Sequence, residues 1–209
     1  MSADRSDVLR QLRTGTARQH ETLERSLDLL DPGLTRARLV EVLARMHGFW
    51  LAAEAGLEEW AARHPADAAG ARWPARRRAG LFAHDLLGLR AQPAHSGPDL
   101  APVAGTDEAL GRMYVLEGST LGGTVIDRHL RALPQFAGVR LRCFSPYGAD
   151  TGAMWHAFRR TARGRVAAGG NAEAMVAGAR DTFDALAAWC RPGPVDPPPL
   201  TPAAGRSPG

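Results

Sequence analysis

No lysine occurs anywhere in this chain. All 26 Lys/Arg positions are arginine, set against 22 acidic residues for a net charge of +4. Such a bias reads as codon usage rather than function, although arginine offers a planar fork that grips carboxylates bidentately. Cysteine is almost as scarce. Cys143 and Cys190 are the two present, without a Cys-x-x-Cys spacing, which excludes a thiolate metal site and predicts two reduced thiols. Long hydrophobic runs are missing as well. With 44% hydrophobic residues, no stretch approaches the ~20 apolar residues that cross a bilayer. The opening Met-Ser-Ala-Asp-Arg-Ser-Asp lacks the apolar core of a signal peptide, so the expectation is a soluble, cytoplasmic protein with no membrane role.

Alternating β patterns are also lacking, apart from the short stretch Val139 to Phe144, and there is no internal repeat. Helical rhythm fills the chain instead. Leu9, Leu12, Thr16, Leu23, Leu27 and Leu30 recur at three- and four-residue steps from Ser6 to Leu30, where Asp31-Pro32-Gly33 stops the run. A second amphipathic helix is expected from Thr35 to Arg63, ended by His64-Pro65, and a third from about Ala75 to Leu89. A turn-rich connection spans Gln92 to Gly105, and Thr106-Asp107 is the expected cap of a fourth helix running to about Arg131. Two more follow, about Asp150 to Val166 and Ala172 to Cys190. The fold class is therefore an all-α, single-domain helical bundle over residues 7–190, with disordered ends at 1–6 and in the Pro- and Gly-rich 191–209.

The fourth helix carries an internal contradiction. Gly118, Gly122 and Gly123 sit inside it, each costing roughly 1 kcal/mol against alanine. Gly118 and Gly122 share one face, and Gly123 lies about 100° further round. Such a face permits close packing of another helix. It also permits the backbone to approach a flat ligand, with a kink at the glycines. Ser119 and Thr120 beside them favour the ligand.

Seven histidines are available, but no His-x-x-x-His, Glu-x-x-His or Cys-His spacing links them, so zinc and di-iron sites lack their minimum ligand set. A one-histidine site remains, which is what haem requires: one imidazole on iron and an apolar slot, with cations for the propionates. His20 is the best candidate, with Arg13 two turns earlier on the same face and Glu24 one turn later to hold the ring. The segment Arg72-Trp-Pro-Ala-Arg-Arg-Arg78 offers a nucleic-acid reading, but a solvated loop and helix start explains it equally, and nucleic acid is not the expected partner. His47, Phe49, Trp50 and Trp60 read as core. Glu117, beside the first glycine, reads as an inter-helix hydrogen-bond partner rather than a base.

Thr16-Ala-Arg-Gln-His20-Glu-Thr-Leu-Glu24 resembles the proximal helix of haem oxygenases, and Tyr114-Val-Leu-Glu-Gly-Ser-Thr-Leu-Gly-Gly123 resembles the distal helix of their bacterial, phytochrome-associated branch. Phe144 to Trp155 and Thr182 to Trp189 are similar to later blocks of that branch, in the same order. The resemblance implies a haem-oxygenase-like bundle with a kinked distal helix. It further implies cleavage of haem b, both substrate and cofactor, to biliverdin, carbon monoxide and ferrous iron, using dioxygen and an external reductant such as a ferredoxin. His20 becomes the iron ligand, and Gly118, Ser119, Gly122 and Gly123 the distal pocket, bare so that dioxygen can be directed at a meso carbon. Arg13, Tyr114 and one or both of Arg159 and Arg160 become the propionate contacts. The implied partners are an electron-donor protein and a bacteriophytochrome that accepts biliverdin. Many family members carry an aspartate directly after the first distal glycine, where Ser119 stands here. That serine is common in the branch it resembles, but it leaves the proton route unassigned. Two other readings stay open: a haem carrier, store or sensor of the same fold, and an all-α scaffold that has lost haem.

Overall fold

The computed structural model describes residues 7–191, and every described element is helical or turn. The expected disordered ends, 1–6 and 192–209, lie outside the described residues. Seven α-helices follow in order: α1 Val8–Leu27, α2 Arg36–Arg63, α3 Pro65–Gly70, α4 Ala79–Gly88, α5 Thr106–Ala132, α6 Thr151–Ala167 and α7 Ala172–Trp189. Three short 3-10 turns lie in two of the connections, one between α3 and α4 and two between α5 and α6. Among the described residues no helix is long and apolar enough to cross a membrane.

Helix starts follow local chemistry where a short polar side chain is available. Asp7 accepts from the Leu9 amide, Thr35 from Arg38 and Asn171 from Ala174, each satisfying one of the orphan donors of a first turn. α1 ends three residues before the expected Leu30. Asp28 enters the left-handed region at φ 47 and returns its N–H to the Glu24 carbonyl, an αL stop that precedes the Pro-Gly signal. The expected cap Thr106-Asp107 is displaced too. α5 starts after Gly105 with no side-chain cap. Thr106 instead accepts from Trp60 Nε1 at 3.2 Å, and Asp107 takes the Arg165 guanidinium at 2.7 Å. Val139 to Phe144 forms turns rather than a strand.

α7 is the spine. It packs along both α5 and α1, which barely touch each other. The α5–α7 approach is close because Gly111 and Gly178 face the partner backbone: a Cβ on Gly111 would overlap the Met175 carbonyl, and one on Gly178 would press on Glu108. The second half of the core is aromatic, with Phe49, Trp50 and Trp60 of α2, Trp73, and Phe82 of α4 all buried. Each contributes roughly 1.5–3 kcal/mol or more of apolar burial. The result is a gap between α1 and α5 with α7 behind it and α6 at one end.

Candidate functional site

That gap is a cleft of about 510 Å³, lined from α1 by Arg13, Thr16, Ala17, His20, Leu23 and Glu24, and from α5 by Tyr114, Val115, Gly118, Ser119, Leu121 and Gly122. Trp155 of α6 with Phe183 and Leu186 of α7 complete it. Its size falls in the range of small-molecule sites, and its lining is mostly apolar with a few polar groups, the usual make-up of such sites.

His20 stands exposed in the cleft. Its Nδ1 lies 3.6 Å from Glu24 Oε2, and its ring meets Phe183 edge-on at 5.6 Å between centroids. A carboxylate on the Nδ1 side favours the tautomer that leaves Nε2 with a free lone pair. Glu24 and Phe183 therefore flank the ring, and among the described residues Nε2 has no hydrogen-bond partner. Among the described residues no cluster of three His, Cys, Asp or Glu side chains is placed to hold a metal ion.

On the opposite wall the glycines separate by role. A Cβ built on Gly118 or Gly122 would meet nothing within 4 Å. These two are bare toward open space, so helix packing does not explain them. Gly123 is different: it is buried, and a Cβ there would overlap the Phe144 carbonyl oxygen. The sequence grouped Gly123 with the pocket, but the 100° rotation between successive helix positions turns it onto the 144–148 segment, where it serves packing. The expected kink does not interrupt the helix, since α5 is α-helical without a break from Thr106 to Ala132.

Tyr114 lies half-buried at one end of the cleft, 5.9 Å between ring centroids from Trp155. Burial pushes its phenol pKa up, against a hydrogen bond with Thr16 and the charge of Arg13, so it stays a neutral donor at physiological pH. Arg13 is exposed at the same end and lines the cleft. Arg159 and Arg160 do not line it. Arg159 lies near Asp7, whose carboxyl it helps to hold low after the dominant Arg163 hydrogen bond, and Arg160 is exposed on α6. The resemblance implies one or both as propionate contacts, whereas α6 turns Trp155 toward the cleft and these two residues away from its lining.

Behind the glycine wall sits a polar cluster that the sequence did not reveal. Glu117 is buried, ion-paired with buried Arg76, and accepts the Tyr147 hydroxyl at 2.7 Å. It is an inter-element partner and not a base facing the cleft. Arg78 is buried as well and reaches Ser119 Oγ through Nη2 at 2.8 Å. Glu54 of α2 accepts from the Arg78 and Ala79 amides at 2.6 and 2.9 Å and so caps α4. That cap, with Arg77 extended at ψ 134, divides the expected Ala75–Leu89 helix into a 3-10 turn and α4. The arginine-rich 72–78 segment thus turns Arg76 and Arg78 inward and leaves Arg72 and Arg77 exposed. Its buried arginines support α5. The one available hint was the pair of aromatics, Trp73 and Phe82, flanking the run.

A curated haem oxygenase of Xanthomonas campestris pv. campestris (strain 8004) is 32% identical over 157 residues, covering 73% of this chain and 90% of the relative. The chain belongs to the haem oxygenase family. The crystallised NO- and CO-bound haem oxygenase from Neisseria meningitidis shares the fold, with a TM-score of 0.70 at 20% identity over 94% of this chain and 98% of that one. No protein-family profile matches the chain.

Proposed function

We propose that this enzyme binds haem b between α1 and α5 and cleaves it to biliverdin, carbon monoxide and ferrous iron. It takes electrons from an external donor such as a ferredoxin. The observation that carries the reading is the pairing of two helix walls: a histidine with a free nitrogen on one, and two glycines bare toward open space on the other. Bound haem would supply both the iron chemistry of oxygen activation and the ring that is oxidised.

The chain's own contribution is position and exclusion. His20 Nε2 would hold the haem iron, with Glu24 on the Nδ1 side of the ring to orient it. Gly118 and Gly122 keep their side of the cleft free of side chains, which would leave room for a small diatomic beside bound haem. Leu23, Leu121, Val115, Phe183 and Leu186 exclude water from the faces. Arg13 and Tyr114, both at the cleft's open end, are donors of the kind that fix carboxylates, and they hold a propionate. Arg159 and Arg160 have no part in this. The catalytic unit is residues 7–190. Serine at 119 is the pattern of the phytochrome-associated branch, and a bacteriophytochrome in the cytoplasm is the acceptor proposed for the biliverdin.

Haemin titration followed by addition of ascorbate or a ferredoxin system tests the reading. The wild-type protein is expected to develop a Soret band at one haem per chain and then a biliverdin spectrum. His20→Ala is expected to lose turnover and change the ferric spectrum, with partial recovery on adding imidazole. A Soret band that persists unchanged under reductant and oxygen would identify a haem carrier instead, and no band at all would sink the haem reading.

A further inference from the structure

Ser119 is the polar side chain that the glycine stretch of α5 presents to the cleft, and its hydrogen bonds have a forced direction. Arg78 Nη2 lies 2.8 Å from Ser119 Oγ. A guanidinium has five donors and no acceptor, so the serine oxygen accepts. The hydroxyl proton is directed to the Leu116 carbonyl at 2.7 Å. One lone pair remains. A water seated on Ser119 from the cleft side must therefore donate one O–H to the serine, which leaves its second O–H to point into the cleft.

Arg78 is fixed well enough to impose that polarity. It is 2% exposed, and its guanidinium carbon stands 5.0 Å from the Trp50 ring centroid and 5.9 Å from that of Phe82. The aromatic faces offset part of its burial cost. Two of its nitrogens, Nε and Nη1, are buried and have no hydrogen-bond partner among the described residues. Buried donors of a charged group that lack a protein partner are expected to hold water. The groups that act on this cation from the surrounding elements are Glu117 on α5, Tyr147 and Cys143 in the 139–150 connection, and Glu54 on α2. Glu117 is the first of these, yet its own direct partners are Arg76 and Tyr147.

We propose that Arg78 is a positioning residue for proton delivery: it locks the Ser119 hydroxyl as an acceptor and thereby fixes the water that faces the haem site as a donor. This rests on the haem-cleaving function proposed above. The rings of Trp50 and Phe82 would give Arg78 a purely structural role, and the two roles differ in what they do to the haem-loaded protein. A cation behind the distal wall favours the deprotonated form of any acid on that side. Arg78→Met should therefore raise the pH at which the ferric absorption spectrum passes between its acid and alkaline forms by at least about half a unit. It should lower turnover roughly tenfold while leaving haem affinity within about threefold.

Ser119→Ala removes the acceptor without touching the core, and it keeps the test decisive if Arg78→Met does not fold. It is expected to lower turnover by a similar factor, and the double variant should be no slower than the slower single one, because the two residues act as one unit. If Ser119→Ala keeps wild-type turnover and an unchanged pH midpoint, the proposal is overturned while haem cleavage stands. If Arg78→Met and Ser119→Ala lose activity additively, the two act separately and Arg78 is structural. If the wild-type protein binds no haem, the functional reading itself has failed, which is a distinct result.

Discussion

At the scale of single residues, Gly118, Gly122 and Gly123 of α5 make opposite predictions although they are chemically identical. Gly118 and Gly122 face open space, so alanine there should stabilise the haem-free protein by about 1 kcal/mol each through helix propensity. Gly122→Val should also leave the fold intact, but turnover should fall by at least about tenfold, ~1.4 kcal/mol of barrier, because the side chain enters the volume above the haem plane. Gly123 meets the Phe144 backbone, so Gly123→Ala should destabilise by about 1–3 kcal/mol through overpacking. Urea denaturation of the haem-free variants, paired with biliverdin yield, checks all three. Equal stability changes at the three positions would show that the wall is not open. The periodicity already placed Gly118 and Gly122 on one face and Gly123 off it. The sequence did not show what each face meets, because that partner, Phe144, is supplied from a loop in another part of the chain. The same limit hid Arg78: Phe82 lies one turn on in the helix it caps, but the closer ring, Trp50, arrives from α2. His20 with Glu24 was legible because one helix carries both.

At the scale of elements, α5 depends on a charge pair that no helical wheel reveals. The six longer helices were readable from three- and four-residue apolar steps, the short α3 was not, and boundaries failed where tertiary partners competed for the capping groups, as with Thr106, Asp107 and Glu54. Under the middle of α5, Arg76 and Glu117 form an ion pair whose side chains are 1% and 3% exposed. Such a pair gains little over an apolar replacement, but breaking it strands a charge. Arg76→Met should therefore cost about 3–5 kcal/mol, since the Glu117 carboxylate keeps only the Tyr147 hydroxyl and the more distant Arg78. Arg76→Met combined with Glu117→Leu should recover much of that loss. Chemical denaturation of the two singles and the double decides it, and a double variant as weak as the sum of the singles would show that the pair has no special coupling.

At the scale of the whole molecule, the irregular connection from 90 to 105 must be held against the bundle for α2 and α5 to keep their places. Its anchors are few and of two kinds. Arg63 donates to the Val103 carbonyl at 2.6 Å and Arg112 to the Ala101 carbonyl at 2.7 Å, contacts that arginine keeps at any physiological pH. The third anchor is the Ala94 amide, which donates to His47 Nδ1 at 3.0 Å, and this one titrates. His47 is buried in α2 and burial lowers its pKa below the usual 6.5, so the fold favours the neutral ring. A protonated ring carries a hydrogen on Nδ1 and cannot accept from Ala94. The unfolded chain binds the proton more readily than the folded one, so this contribution is complete above about pH 6.5 and declines as the pH falls below it. Acid should therefore loosen the connection first at Ala94, while the arginine anchors hold. Limited proteolysis at pH 7.5 and pH 5.5 is expected to show faster cleavage within 92–100 at the lower pH. His47→Gln, whose amide oxygen accepts at either pH, should remove most of the difference. If wild type and His47→Gln gain sensitivity to the same extent on acidification, another group controls the connection and His47 is only a packed ring.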